Sequence, residues 1–282
     1  MSTYAAKKAK RRAFGQHFLR DTSITERIAH TALEEATRHS CQTLLEIGPG
    51  KGAITQPLLR ELSTQKGTHR IQRFLIVEKD NQFALDWRQN RASLDCLVPT
   101  EIENADFLQF PREKWLSPGP VAVVSNLPYS VGTAILDRLA REHATIPIMV
   151  LMFQKEVAMR IRAKPSTKER GSLSLWIQNR WDVSTLLTAP PGAFSPPPQV
   201  DSEVIVLTRR QTPWIALDDP ASEKLWETLL KTCFSHRRKM LRSLIPWRNA
   251  LEVSGVDGTR RAEALHWEEW EKLFQAVKSF QK

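Results

Sequence analysis

The sequence predicts a doubly wound α/β domain with a small all-α domain behind it, and three observations carry that expectation. Short segments that are apolar throughout alternate with segments whose apolar residues recur every three or four positions, the pattern of buried parallel strands and the helices that cover them. A glycine-rich turn, Gly48-Pro49-Gly50-Lys51-Gly52, stands at the first strand-to-helix junction, where such folds let a ligand approach the backbone. Beyond residue 210 the strand patterns stop and helical ones continue. A chain of 282 residues, 41% hydrophobic and 26% charged, is long enough to bury both cores and lies far from disordered or collagenous composition.

Taken in order, Asp21 can cap a helix whose apolar positions are Ile24, Ile28, Ala32 and Leu33. Residues 44–47 read as a buried strand that runs into the glycine turn. Ile54, Leu58, Leu59 and Leu62 then share one helix face, with Pro57 tolerable only near the first turn. Residues 74–77 form a second strand, closed by Glu78. The alternation continues with a helix around 83–91, strands around 96–102 and 121–124, a helix around 133–141 and a strand over 146–153. A helix over 155–162, a polar loop over 163–170, a helix over 171–178 and a strand near 181–187 follow. The proline-rich loop 190–198 leads to a last strand at 204–207. Residues 210–222 make the best linker. After it, Leu225, Leu229, Leu230 and Phe234, then Leu241, Leu244 and Ile245, then Trp270, Leu273, Phe274 and Val277 mark helices, and Trp226, Trp247, Trp267 and Trp270 read as core packing.

Composition narrows the function. The longest apolar stretch, 146–153, is too short for the roughly 20 residues of a membrane span, and no apolar segment follows the basic start as a signal peptide requires. Cys41, Cys96 and Cys233 are odd in number and widely spaced, so neither a disulfide framework nor metal-ligand spacing is expected. The 41 Lys and Arg against 31 Asp and Glu leave a net charge of +10, a surface that expects a polyanion. Half of that excess, Lys7, Lys8, Lys10, Arg11 and Arg12, lies in the first 13 positions, which are free of acids. A solvated terminal arm would look the same. Further basic groups at Arg160, Arg162, Lys164, Lys168 and Arg170, and at Arg237, Arg238, Lys239 and Arg242, show that the bias is not only terminal. None alternates with an apolar face, so nucleic acid is favoured over a membrane surface.

The chemistry collects at strand ends. Glu46-x-Gly48-x-Gly50-x-Gly52 lacks both the Walker spacing and the dinucleotide fingerprint, so it reads as a close-approach loop rather than a phosphate cradle. Glu78 ends the next strand, where an acid accepts from both ribose hydroxyls of a nucleoside. Asp106, after the third strand, is suited to accept from an adenine amino group. Each of these alone could be an ordinary surface or turn residue. At the end of the fourth strand stands Ser125-Asn126-Leu127-Pro128-Tyr129, which out of context is a turn. In this context an Asn oxygen and the next carbonyl can accept both hydrogens of an exocyclic amine, whose lone pair is otherwise delocalised, and favour its attack on an electrophile. Pro128 holds Leu127 extended and Tyr129 offers a ring on which a base can stack.

Together with Phe14-Gly15-Gln16-His17-Phe18-Leu19, Val77-Glu78-Lys79-Asp80, Gln154-Lys155-Glu156-Val157, the run from Phe194 through Pro196-Pro197-Pro198 to Ser202, and Arg237-Arg238-Lys239, these motifs occur in one order. Over residues 11–270 the chain resembles the ribosomal RNA adenine N6-dimethyltransferases. The resemblance implies a Rossmann-like methyltransferase with a mostly parallel seven-stranded sheet. Its domains would be a basic tail over 1–12, a methyltransferase domain over 13–209 and a helical RNA-binding domain over 210–282. It implies dimethylation of two adjacent adenines near the 3′ end of 16S ribosomal RNA during small-subunit biogenesis. The methyl donor would be S-adenosylmethionine, leaving S-adenosylhomocysteine, with no metal. The partner would be the small-subunit precursor, with no membrane, and the enzyme a cytoplasmic monomer. Carried onto this chain, His17, Leu19, Gly48, Gly50, Glu78, Asp106 and Asn126 contact the donor, and Asn126, Leu127, Pro128 and Tyr129 form the catalytic turn. Phe194 stacks on the flipped adenine. The amine then loses its proton to water without a tuned base. The two basic clusters, Lys7, Lys8, Lys10, Arg11 and Arg12 and then Arg237, Arg238 and Lys239, hold RNA.

Three positions depart from the family. His17 stands where Asn is frequent, so its contact is expected through the backbone. Arg170 stands where Tyr is usual, and Lys51 where the residue is frequently small or apolar. Two alternatives share the fold. Large-subunit methyltransferases that confer antibiotic resistance usually have Thr where Pro49 stands, and non-catalytic factors exist that can retain the Asn-Leu-Pro-Tyr turn.

Overall fold

The computed structural model describes residues 17–63, 70–90 and 97–280. The described residues divide into two compact units. One holds the residues up to Ala158 together with Ser184–Arg209, and the other Met159–Val183 with the residues from Arg210 onward.

The first unit is built on β2 (Thr43–Ile47), β3 (Arg73–Glu78), β4 (Thr100–Asn104), β5 (Val121–Asn126), β6 (Ile148–Gln154), β7 (Trp181–Ala189), whose first residues lie in the other unit, and β9 (Ser202–Arg209), in the order β4-β3-β2-β5-β6-β9-β7. From β4 to β6 every neighbour is parallel, and β9 runs antiparallel to β6. The expected mostly parallel, seven-stranded class therefore holds. The central strands β2, β3, β5 and β6 are buried nearly end to end, which is why they read as unbroken apolar runs. Edge strand β4 instead carries Glu101 and Glu103, charges that discourage further pairing.

Helix α1 (Thr22–Arg38) starts where Asp21 accepts hydrogen bonds from Ser23 N and Ile24 N at 3.0 and 3.2 Å. It packs on α2 (Thr55–Leu62) and over β5 and β6, burying Ile28, Ala29, Ala32 and Leu33. Asp80 caps α3 (Asn81–Gln89) in the same way, through Gln82 N at 2.8 Å and Phe83 N at 3.3 Å. A further helix, α4 (Gly132–Ala140), connects β5 to β6, and α5 (Lys155–Ile161) follows β6. Two strands of two residues each, β1 (Phe18–Leu19) and β8 (Phe194–Ser195), pair antiparallel. No periodicity can announce so short a pair.

The second unit contains α6 (Ser172–Gln178), α7 (Pro220–Phe234), α8 (Arg248–Ser254) and α9 (Trp267–Ser279). Trp226 and Trp270 are fully buried and meet edge to face at 5.6 Å, as Trp226 and Phe274 do at 5.9 Å. Met159–Val183 clusters here because Leu175 packs into this core. The expected linker is held rather than free. Ile215 is fully buried and exchanges two hydrogen bonds with the Asn179 side chain, at 2.8 and 3.1 Å. The expected helix over 241–245 shrinks to a 3-10 turn at Leu241–Ser243, just ahead of Pro246.

Candidate active site

In the first unit, the carboxyl ends of β2, β3 and β5 and the strand β1 converge on one cleft. It is lined by His17, Phe18 and Leu19, by Glu46 and the glycine turn from Gly48 to Lys51, by Ala53, Ile54 and Glu78, and by Asn126, Leu127, Pro128 and Tyr129. His17, Leu19, Gly48, Gly50, Glu78 and the four residues of the expected catalytic turn are thus brought together. Asp106 and Phe194 do not line the cleft.

The turn after β2 needs glycine for two reasons. Gly48 has φ +66, and nothing lies within 4 Å of where a Cβ would stand, so the backbone there faces open space. At Gly52, with φ +84, a Cβ would meet the Trp87 ring at 2.3 Å. The turn is tied to β3 through Glu78, which accepts from Gly50 N at 3.0 Å and from Asp80 N at 2.7 Å. Burial pushes the Glu78 pKa up, against the pull of those two N–H donors. Each carboxylate oxygen keeps further acceptor capacity.

Glu46, named in the motif but given no role by the sequence, lies 2% exposed in the cleft wall. Its Oε2 is buried without a hydrogen-bond partner among the described residues. Burial pushes its pKa up to about 8, opposed by the Thr55 hydroxyl and reinforced by Glu78. An acid inside the otherwise apolar run Leu44–Ile47 is the signal that could have marked it. Lys51, also a lining residue, holds its Nζ 4.7 Å over the Phe18 ring.

Asn126 ends β5 half-buried, and its side chain makes no hydrogen bond among the described residues. Below it, Ser125 Oγ donates to Ile47 O at 2.5 Å and fixes β5 against β2. The Tyr129 hydroxyl and Ser202 Oγ share a hydrogen bond at 2.6 Å that pins the ring. The His17 ring lies 5.8 Å from it, and its Nδ1 bonds the carbonyl of Pro196 at 2.8 Å. The His17 ring thus has a position-holding partner.

Asp106 is engaged elsewhere. It accepts from Lys79 Nζ at 2.7 Å and from Leu108 N at 3.0 Å, and the Lys79 bond holds its pKa below the usual carboxylate range. Phe194 is 1% exposed and belongs to the main core, paired with Leu19. Lys7, Lys8, Lys10, Arg11 and Arg12 lie outside the described residues. In the second unit Arg238 and Lys239 are exposed, but Arg237 is occupied: it donates to Arg170 O at 2.8 Å and to Lys168 O, and stands 3.7 Å from Glu263. No group of three His, Cys, Asp or Glu among the described residues could share a metal ion, and no described helix is long and apolar enough to cross a membrane.

Residues 7–279 match the family model described as ribosomal RNA adenine dimethylase. The chain is 36% identical to ribosomal RNA small subunit methyltransferase A of Leptothrix cholodnii, over 95% of this chain and 91% of that one. With the protein of the same name from Porphyromonas gingivalis the identity is 40%, over 84% of this chain and 83% of that one. Among solved structures, a dimethyladenosine transferase from Plasmodium falciparum superposes with a TM-score of 0.73 at 20% identity, over 93% of this chain and 98% of that one, which bears on the fold. The 23S rRNA methyltransferase ErmE superposes with a TM-score of 0.65 at 27% identity, over 93% and 99%.

Proposed function

The chain belongs to the ribosomal RNA adenine dimethylase family, and from that premise we infer an S-adenosylmethionine-dependent enzyme that dimethylates the N6 amines of two adjacent adenines near the 3′ end of 16S ribosomal RNA. The observation that carries this reading is the convergence of Glu78, the Gly48–Gly50 backbone and the Asn126–Tyr129 turn on one cleft. The small-subunit relatives are 36–40% identical, against 27% for the large-subunit methyltransferase, which favours the small subunit as substrate.

The cleft suits the donor. Open space at Gly48 admits its body, Glu78 can accept from the ribose hydroxyls, and the unpartnered Oε2 of Glu46 can accept from the methionyl ammonium. Bound there, S-adenosylmethionine supplies an electrophilic methyl group. The free side-chain oxygen of Asn126 and the Leu127 carbonyl accept from the amine hydrogens, turning the nitrogen lone pair towards the reacting carbon. Pro128 keeps Leu127 extended, and Tyr129, fixed by Ser202, offers its ring to the base. Phe194 enters as a second platform only if the segment that buries it opens. Asp106 reaches an adenine amino group only by giving up part of its pairing with Lys79.

RNA is held by the basic tail over 1–12 and by exposed cations of the helical domain, 210–282 with 159–183 added. The enzyme works as a monomer on the small-subunit precursor in the cytoplasm. Incubating the protein with methyl-labelled donor and under-methylated small subunits tests the reading: label in N6,N6-dimethyladenosine of 16S RNA is expected, and label in 23S RNA or none at all overturns it.

A further inference from the structure

In the second unit, Arg170 is 1% exposed, and its Nε, Nη1 and Nη2 all lack a hydrogen-bond acceptor among the described residues. Its guanidinium carbon lies 5.9 Å from the centre of the Trp267 ring. Trp267 is stacked on Trp214 at 5.6 Å with planes 5° apart, and Arg210 lies 4.4 Å over Trp214, so Arg170 ends a ladder of two rings and two cations. Attraction to a ring face recovers only part of what it costs to take a guanidinium out of water. Burial lowers the Arg170 pKa to about 10, which still leaves it charged at neutral pH.

Arg170 is buried whole, and its carbonyl accepts a hydrogen bond at 2.8 Å from Arg237, whose own side chain is half-exposed. Arg237 also holds Lys168 O, which joins the loop 163–170 to the turn that carries Arg238 and Lys239. Lys164, Lys168, Arg238 and Lys239 are all exposed there. Nearby acids already have cations: Glu169 stands 3.7 Å from Lys168 and Glu263 3.7 Å from Arg237. Among the described residues Arg170 has a positive neighbourhood and no acceptor.

We propose that Arg170 is a concealed phosphate receptor, which leaves the Trp267 face and forks onto a phosphodiester when RNA docks on the loop 163–170 and the turn 236–239. The move takes the Arg170 side chain out of its buried place beside Trp267, while Arg237 holds the Arg170 carbonyl next to the exposed Arg238 and Lys239. The planar fork matches two phosphate oxygens, and the charge gains the acceptor it lacks in the free protein. In this scheme Arg237 shapes the docking surface, while Lys168, Arg238 and Lys239 supply the surrounding field. The proposal rests on the reading of the protein as an RNA methyltransferase.

Arg170→Met is the test, read with a labelled single-stranded RNA and with under-methylated small subunits across a salt series. The expected variant binds small subunits about tenfold more weakly at low salt, with a slope of log affinity against log salt smaller by about 0.7, one single-strand phosphate contact. It melts no lower than the wild type, because the buried charge is gone, and its donor affinity by calorimetry is unchanged. Unchanged RNA affinity and slope overturn the proposal. So does a variant that melts well below the wild type, which would make Arg170 a packing element. If Arg170→Met does not fold, Arg170→Tyr is measured instead with the same expectations, and failure of both to fold overturns the proposal as well. Methyl transfer by the wild type, scored separately, shows whether the underlying reading has failed.

Discussion

At the scale of single residues, Glu46 is an acid where the strand has room for an apolar side chain, and its position makes stability depend on pH. Its pKa is about 8 in the folded protein against an ordinary 4.5. Between those values the folded chain holds a proton that the unfolded chain has released, so stability falls as pH rises through the window and levels off above about 8. Glu78 adds a loss of the same sign, since burial raises its pKa too. At about 1.4 kcal/mol per pKa unit the Glu46 share is a few kcal/mol. Glu46→Gln should therefore flatten the profile in denaturant melts run from pH 5 to 9; profiles that stay parallel would place the loss on another group. Asn126 is the opposite case, a polar side chain in the cleft wall with no hydrogen bond among the described residues. Asn126→Ala should lower single-turnover methylation about 10²–10³-fold at saturating donor while RNA affinity changes little. Near-normal turnover would move the chemistry off this turn.

At the scale of elements, the pair β1 and β8 decides what Phe194 can do. Its ring is 1% exposed, and the adjoining segments are tied by Arg20 N donating to Ala193 O at 2.9 Å and by the His17 bond to Pro196. Phe194→Ala should thus cost about 3–5 kcal/mol of stability from core truncation, before any loss of base stacking. Phe194→Leu keeps most of the packing and should fold while still failing to unstack a 2-aminopurine placed at the target base. Equal 2-aminopurine fluorescence with wild type and Phe194→Leu would deny Phe194 its stacking role. The same elements show what the sequence can express. Strands Val121–Asn126 and Ile148–Gln154 are legible because both of their faces are buried, and α1 because Asp21 stands just ahead of its apolar stripe. The pair β1 and β8, too short for any period, is silent. The turn at Leu241–Ser243 passes for a helix because burial of Leu241 and Ile245 imitates helical spacing. In the cleft, residues with a motif are legible. The pairing of Asp106 with Lys79 and the burial of Phe194 are not, since both depend on contacts between distant segments.

At the scale of the whole molecule, the excess of positive charge must do more than keep the protein in solution if it is to find two adenines in a ribosomal particle. Adjacent adenines are no unique address, so recognition must draw on the surrounding phosphates and RNA shape. Among the cations that the sequence offers for this task, Arg237 is committed to the carbonyls of Lys168 and Arg170. Arg238 and Lys239 remain exposed, and the cluster Lys7 to Arg12 stands far from them in sequence. Each phosphate that a variant no longer neutralises should reduce the slope of log affinity against log salt by about 0.7–0.9. Replacing Arg238 and Lys239 with Ala should therefore flatten the slope without disturbing the fold, whereas Arg237→Ala should also loosen the loop 163–170, seen as faster amide exchange there. Deleting residues 1–12 should flatten the slope independently and leave donor affinity intact, because the described cleft begins at His17. If both clusters serve one RNA region, their effects on the slope add in the combined variant. Binding to intact small subunits should then exceed binding to an isolated hairpin that carries the target adenines, since only the particle supplies the outlying phosphates. Equal affinities for particle and hairpin, with an unchanged slope in every variant, would leave the +10 charge without a role in recognition.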